Sequence, residues 1–128
     1  MEEDPVKIVV VDDVADVADA LSMQLTLVGY RVATAYDAYQ AIQMIEANQP
    51  HCVLLDIGMP GIDGYELATH LRHRYNDDIV LIAVTGLDEK QARVADTFKV
   101  VDHYLQKPID LSKLNKILPA LTSSQQND

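Results

Sequence analysis

Side chains with reactive chemistry stand directly after short apolar runs at four places in this sequence. They are two adjacent acids, a third acid, a threonine and a lysine: Asp12, Asp13, Asp56, Thr85 and Lys107. Carboxylates held close together are the oxygen ligands that Mg²⁺ prefers. A carboxylate can also accept a phosphoryl group, whose oxygens a metal ion, a hydroxyl and an ammonium stabilise during transfer. These residue types predict phosphoryl transfer at a magnesium site, provided that the fold brings them together.

The apolar runs alternate with segments whose apolar residues recur at helical spacing. This alternation predicts a doubly wound α/β fold, with one parallel sheet between two layers of helices. The predicted strands cover residues 7–11, 31–35, 52–55, 79–84 and 101–105. The predicted helices cover residues 14–28, 38–47, 65–75, 88–98 and 111–118, with Asp37 and Asp110 as caps.

The predicted fold decides where the reactive side chains must lie. In doubly wound sheets, ligands bind beyond the carboxyl ends of the strands, and every reactive residue above follows such an end. If the first and third strands are neighbours, three carboxylates share one pocket. Like charges about 4 to 5 Å apart then cost roughly 3 to 4 kcal/mol per pair at an effective dielectric near 20. A bound cation removes that cost, and Gly86 leaves space beside Thr85 for a phosphoryl group.

Four stretches at these strand ends carry a resemblance to a known family. VVVDD, LLDIGMPGIDGYE, AVTG and YLQKP, in this order, closely resemble the receiver domain of two-component response regulators. The resemblance extends from about Pro5 to Leu121. It implies a flavodoxin-like (βα)5 three-layer sandwich, with a five-stranded parallel sheet in the order 2-1-3-4-5.

The resemblance also implies a role for each residue at the site. Asp56 would be the phosphoacceptor, and it would take a phosphoryl group from the phosphohistidine of a sensor histidine kinase or a histidine phosphotransfer protein. Asp13 would bind Mg²⁺ directly, Asp12 would help partly through water, and Gly58 would give its backbone carbonyl to the metal. Two further residues would contact the phosphoryl group: Thr85 and Lys107.

The same family uses an aromatic residue on the fifth strand as a switch. Tyr104 matches that position, and the Lys107–Pro108 peptide matches one that is cis in the family. Phosphorylation would draw Thr85 inward and let Tyr104 turn inward, which changes the surface formed by the fifth strand and the helices beside it.

Composition bounds the class of protein. The chain has 128 residues, 48% of them hydrophobic, and we expect one domain with a core over about 5–121 and a polar tail at 122–128. The formal net charge of −10 opposes direct binding to nucleic acid. One cysteine, no long apolar run and an acidic start without signal-peptide features predict a cytoplasmic protein without membrane insertion. The oligomeric state stays open, with a monomer as one alternative.

The sequence leaves alternative functions open. Several positions also differ from the usual pattern of the family. One alternative is a receiver-like interaction module that is never phosphorylated. An aspartate-nucleophile phosphatase is disfavoured because Gly58 replaces its second acid, and no glycine-rich nucleotide-binding motif follows a strand. Gly58 and Leu87 predict slow loss of the phosphoryl group, while Val100 replaces a glycine that usually ends the fourth helix. The chain resembles receivers of hybrid sensor histidine kinases, but it also suits a free-standing regulator.

Overall fold

The computed structural model describes residues 6–57, 64–86 and 99–118. Five strands form one parallel sheet: β1 (Lys7–Val11), β2 (Arg31–Ala35), β3 (Cys52–Asp56), β4 (Val80–Thr85) and β5 (His103–Gln106). Within the described residues, four helices accompany the sheet: α1 (Ala15–Val28), α2 (Ala38–Asn48), α3 (Gly64–Tyr75) and α4 (Leu111–Ile117). The strand order is β2-β1-β3-β4-β5, so the predicted flavodoxin-like fold is confirmed. The predicted helix over 88–98 lies outside the described residues.

Both faces of the sheet are buried, which explains the unbroken apolar runs of the central strands. Ile8 and Val10 of β1 face the layer of α1 and α4, while Val9 and Val11 face the layer of α2 and α3. The first layer supplies buried leucines at positions 21, 25 and 114. Cys52 is buried with them, as predicted for a small apolar residue, and burial raises the pKa of its thiol.

Helix α1 buries a narrower face than its apolar spacing predicts. Ala18, Leu21 and Leu25 are buried as expected, but Val17 and Val28 are 41% and 60% exposed. The remaining buried residue of the helix, Ser22, bonds the hydroxyl of Thr34 on β2 at 2.8 Å and so satisfies its polar group. The outer side of α1 is therefore more apolar than packing requires.

The last strand starts later than predicted, at His103 instead of Val101. The Asp102 backbone N–H donates to the Leu81 carbonyl at 2.8 Å, and ladder pairing begins only with His103 opposite Ile82. Val101 is half-buried and packs against the core without joining the ladder. An apolar residue ahead of a strand is thus indistinguishable from a strand residue when only the sequence is read.

Arg72, near the end of α3, holds together the segments that enter β4 and β5. Its guanidinium donates to the carbonyls of Val100 at 2.9 Å and Asn76 at 2.7 Å, and to the Asp102 carboxylate at 2.7 Å. The same Asp102 oxygen accepts the backbone N–H of Leu81 at 2.8 Å. One half-buried side chain therefore satisfies backbone groups that no strand or helix pairs.

We predict that Arg72→Ala lowers the free energy of unfolding by about 2 to 3 kcal/mol, because it removes several charge-assisted hydrogen bonds at once. The matched control is Arg74→Ala on the same helix. Arg74 is exposed and lies 5.5 Å from the Tyr75 ring, so its loss should cost less than about 1 kcal/mol. Urea unfolding followed by circular dichroism compares the two variants, and equal losses would contradict the role given to Arg72.

Candidate functional site

Three carboxylates meet at the carboxyl edge of the sheet, where β1 and β3 end side by side. Asp12 and Asp56 are buried, Asp13 is exposed, and one carboxylate oxygen from each lies within 4.8 Å of the other two. The strand register explains why the acids are close together. Val11 of β1 pairs with Leu55 of β3, and the residues that follow this pair are Asp12 and Asp56. The predicted convergence of the three acids is confirmed.

Backbone contacts fix the Asp12 carboxylate at this edge. The backbone N–H of Asp12 donates to the Ala35 carbonyl at 3.1 Å, which extends the pairing of β1 with β2 by one residue. Its Oδ1 accepts the backbone N–H of Val14 at 2.9 Å, so the side chain also holds the turn that leads into α1. The second oxygen of Asp12, Oδ2, accepts a hydrogen bond from the Lys107 ammonium at 2.9 Å.

Lys107 brings positive charge to the acids from beyond the end of β5. Its Nζ lies 2.9 Å from Asp12 Oδ2 and 3.2 Å from Asp56 Oδ2. Burial alone lowers the pKa of this lysine, but the hydrogen bonds and charges of the two carboxylates outweigh burial and raise it above 10.5. Its backbone N–H donates to the Thr85 carbonyl at 2.8 Å, which ties the lysine to β4.

The remaining predicted residues are placed as follows. Thr85 is fully buried as the last residue of β4, next to the open space at Gly86, where an added Cβ would meet no atom within 4 Å. Tyr104 is half-buried on β5. The Lys107–Pro108 peptide is cis, as expected. Gly58 and Leu87 lie outside the described residues.

Two features of the site were not predicted from the sequence. Ile57, directly after the third acid, is buried in a small cluster with Ala83, against which Tyr104 packs. The second feature is a groove of about 540 Å³ between α1 and the segment after β5, with Lys107 in its wall. Apolar residues form most of its lining: Val17, Ala20, Leu21, Pro108 and Ile109. The signal for this groove was the surplus of apolar positions on α1.

Comparison with known proteins agrees with this arrangement. The model of the response regulator receiver domain family matches residues 8–119. The response regulator MprA of Mycobacterium sp. (strain KMS) is 38% identical over 117 residues, covering 91% of this chain and 50% of that protein. MprA of Mycobacterium tuberculosis is 37% identical over 116 residues, with the same coverage. The chain thus spans about half the length of the curated relatives it matches.

Solved structures share the fold. The signal receiver domain of an HD domain-containing protein from Pseudomonas fluorescens superposes with a TM-score of 0.85 at 24% identity, covering 98% of this chain and 100% of that chain. The response regulator TrrA from Thermotoga maritima, in complex with Mg²⁺-BeF, has a TM-score of 0.79 and 28% identity, covering 91% of this chain and 98% of that chain.

Together these observations define the class of protein. A doubly wound parallel sheet carries an acidic, lysine-bridged site at its carboxyl edge, where strand order reverses between β1 and β3. The chain belongs to the response regulator receiver domain family, the signalling class of two-component systems. Among the described helices, none is long and apolar enough to cross a lipid bilayer.

The raised pKa of Lys107 predicts a pH dependence of stability. The ammonium attracts Asp12 and Asp56 in the folded protein, so its contribution is fully present below pH 10.5 and is lost as pH rises through the raised folded value. We expect the free energy of unfolding to fall less steeply above pH 10.5 in Lys107→Gln than in the wild type. Urea titrations on both sides of that pH measure the two slopes.

The control for this titration is Lys113→Gln, which changes an exposed lysine of α4. Tyr30 and Tyr36 also have raised pKa values, but both remain in all three proteins, so their titration cancels from the comparison. Equal slopes for wild type and Lys107→Gln would show that the bridge contributes nothing to stability.

Proposed function

We propose that Asp56 accepts a phosphoryl group from a phosphohistidine. The observation that carries this proposal is the placement of its carboxylate, which is buried at a strand end, 3.2 Å from the Lys107 ammonium and beside Asp12 and Asp13. A carboxylate oxygen attacks the phosphorus, the phosphorus–nitrogen bond to the imidazole breaks, and the imidazole nitrogen leaves with the bonding electrons. An acyl phosphate then stands at Asp56.

The residues around Asp56 fit a magnesium ion. Among the described residues, three carboxylates face one ammonium, which leaves an excess of negative charge and a set of hard oxygen donors. In this proposal Asp12, Asp13, Asp56 and the carbonyl of Gly58 hold Mg²⁺. The bound ion supplies positive charge that offsets the phosphoryl oxygens during transfer. Lys107 supplies a second positive charge from beyond the end of β5, and Thr85 donates a hydrogen bond from its hydroxyl to the phosphoryl group.

The proposed output is a change at Tyr104. Thr85 and Tyr104 lie on the adjacent strands β4 and β5. Tyr104 packs against the cluster formed by Ala83 and Ile57, the residue that follows the acceptor. Movement of Thr85 toward a phosphoryl group opens room for the ring to turn inward. The surface of β5 and the helices beside it then presents a different shape to a partner.

The proposed phosphodonor is a sensor histidine kinase or a histidine phosphotransfer protein. The groove between α1 and the segment after β5 supports a protein donor, because it is apolar and shares Lys107 with the acidic site. A donor seated in the groove can present its phosphohistidine to Asp56 without losing contact with α1. The net charge of −10 argues against nucleic acid as a direct partner.

The scope of the chain's own chemistry is narrow in this proposal. It takes one phosphoryl group onto itself and loses it again, which places it among signalling modules of the cytoplasm and not among enzymes with a separate substrate. We propose that residues 1–128 form one receiver domain. The parent protein is either a free-standing regulator or a longer chain such as a hybrid sensor histidine kinase.

Intact-mass spectrometry tests the acceptor. Wild-type protein incubated with acetyl phosphate and Mg²⁺ should gain the mass of one phosphoryl group, and EDTA or Asp56→Asn should abolish the gain. The matched control is Asp37→Asn, which makes the same charge change at the same edge of the sheet. Asp37 caps α2 by accepting the Gln40 N–H at 2.7 Å, and asparagine caps equally well, so this variant should be phosphorylated normally.

Each result of this experiment has a definite meaning. A wild type that neither gains mass nor binds Mg²⁺ would favour the alternative, an interaction module that is not phosphorylated. Phosphorylation of Asp56→Asn would place the acceptor elsewhere. The lifetime of the adduct then tests the slow loss expected from Gly58 and Leu87.

A further inference from the structure

Gly64, the first residue of α3, lies directly against the backbone that leaves the proposed acceptor. A Cβ built on Gly64 would overlap Ile57 Cα and would lie 2.7 Å from the Asp56 carbonyl oxygen. Real Cβ atoms essentially never approach another heavy atom closer than 3.0 Å. The obstacle consists of backbone atoms, so rotation of a flexible side chain cannot relieve it.

Conformational freedom does not explain this glycine. Gly29, at the end of α1, has a φ of +121° with open space around it, so it is glycine because of its backbone angle. Gly64 has the opposite character: it is the first residue of helix α3, where the backbone φ is negative, but its space is filled. The requirement at position 64 is close approach of α3 to the end of β3.

The elements on both sides of the contact resist movement. Helix α3 is anchored by Leu67 and Leu71, which are buried against the sheet. The chain at Ile57 is anchored by its N–H, which donates to the Val84 carbonyl at 3.1 Å, and by its buried side chain. An added methyl group must therefore displace the chain where β3 ends, and Asp56 is the last residue of that strand.

We propose that Gly64 is a positioning residue for the acceptor carboxylate, an inference that rests on the proposed function of Asp56. Because glycine has no side chain, α3 can pack directly against the backbone of Asp56 and Ile57. This contact fixes the direction in which the Asp56 carboxylate leaves the strand, toward Lys107 and the two other acids. Gly64 touches no reacting atom and acts only through the position of Asp56.

The test compares Gly64→Ala with Gly29→Ala. Both variants should unfold at lower urea concentration, the second because alanine is strained at a positive φ. Only Gly64→Ala should impair the site. A displacement of about 1 Å at a reacting group can cost on the order of a hundredfold in rate, so we expect phosphorylation by acetyl phosphate to slow by about ten- to a hundredfold.

Two readouts are independent of phosphorylation. Titration calorimetry with Mg²⁺ alone should show a larger Kd for Gly64→Ala and an unchanged Kd for Gly29→Ala, because only the first variant moves one of the three carboxylates. Amide resonances of Asp56 and Ile57 should shift in Gly64→Ala alone. All measurements are made where each variant is folded, if necessary with trimethylamine N-oxide, which favours the folded state.

The outcomes separate this inference from the proposed function. A phosphorylated wild type together with a Gly64→Ala variant that behaves like Gly29→Ala would overturn the positioning role and leave the acceptor role intact. A Gly64→Ala variant that does not fold even in the osmolyte would assign Gly64 a purely structural role and also overturn it. Lack of phosphorylation in the wild type would count against the acceptor itself.

Discussion

Concentration of three carboxylates at one end of a buried sheet is the constraint on which the structure depends. The strand order causes repulsion among the acids, because it places the ends of β1 and β3 side by side. It also sets the distance that a positively charged side chain must span to reach them. Adjacent strands lie about 4.8 Å apart, so β5 is roughly 10 Å from β3, with β4 between them. A lysine at the end of β5 spans that gap, and Lys107 contacts Asp12 and Asp56 while its own N–H is held by Thr85.

The sequence was sufficient for the fold and for the meeting of the three acids with Lys107, because both depend on local patterns. Each of these patterns can be recognised within one segment of the sequence. They are the apolar runs of strands buried on both faces, the helix caps, and the polar residues at strand ends. Three other features depend on contacts between distant segments and could not be predicted from the sequence. Ser22 is buried because Thr34 is opposite it, β5 begins at His103 because Asp102 is already bonded to Leu81, and Gly64 reads as a loop glycine until α3 is seen against β3.

The short strand β5 is held at both ends, and this bears on how Tyr104 can move. Before the strand, Asp102 is bonded to Leu81 and to Arg72; after it, the Lys107 N–H is bonded to Thr85. Tyr104 lies between these two attachments, against Ile57 and Ala83. The switch proposed at this position would involve rotation of the aromatic side chain more readily than displacement of the strand, because displacement would break contacts at both ends.

The acidic site also has a consequence for stability. In the part of the chain that the structure describes, one ammonium faces three carboxylates and cannot neutralise them. The folded chain without a cation therefore retains repulsion that the unfolded chain escapes by separating the acids. The core that buries both faces of the sheet must offset this cost. A cation that binds only the folded arrangement stabilises it by mass action, and the stabilisation grows with the concentration of the ion relative to its Kd. In the proposed magnesium site the same three carboxylates would supply both the repulsion and the ligands, so the affinity for the cation and the instability without it would have one origin.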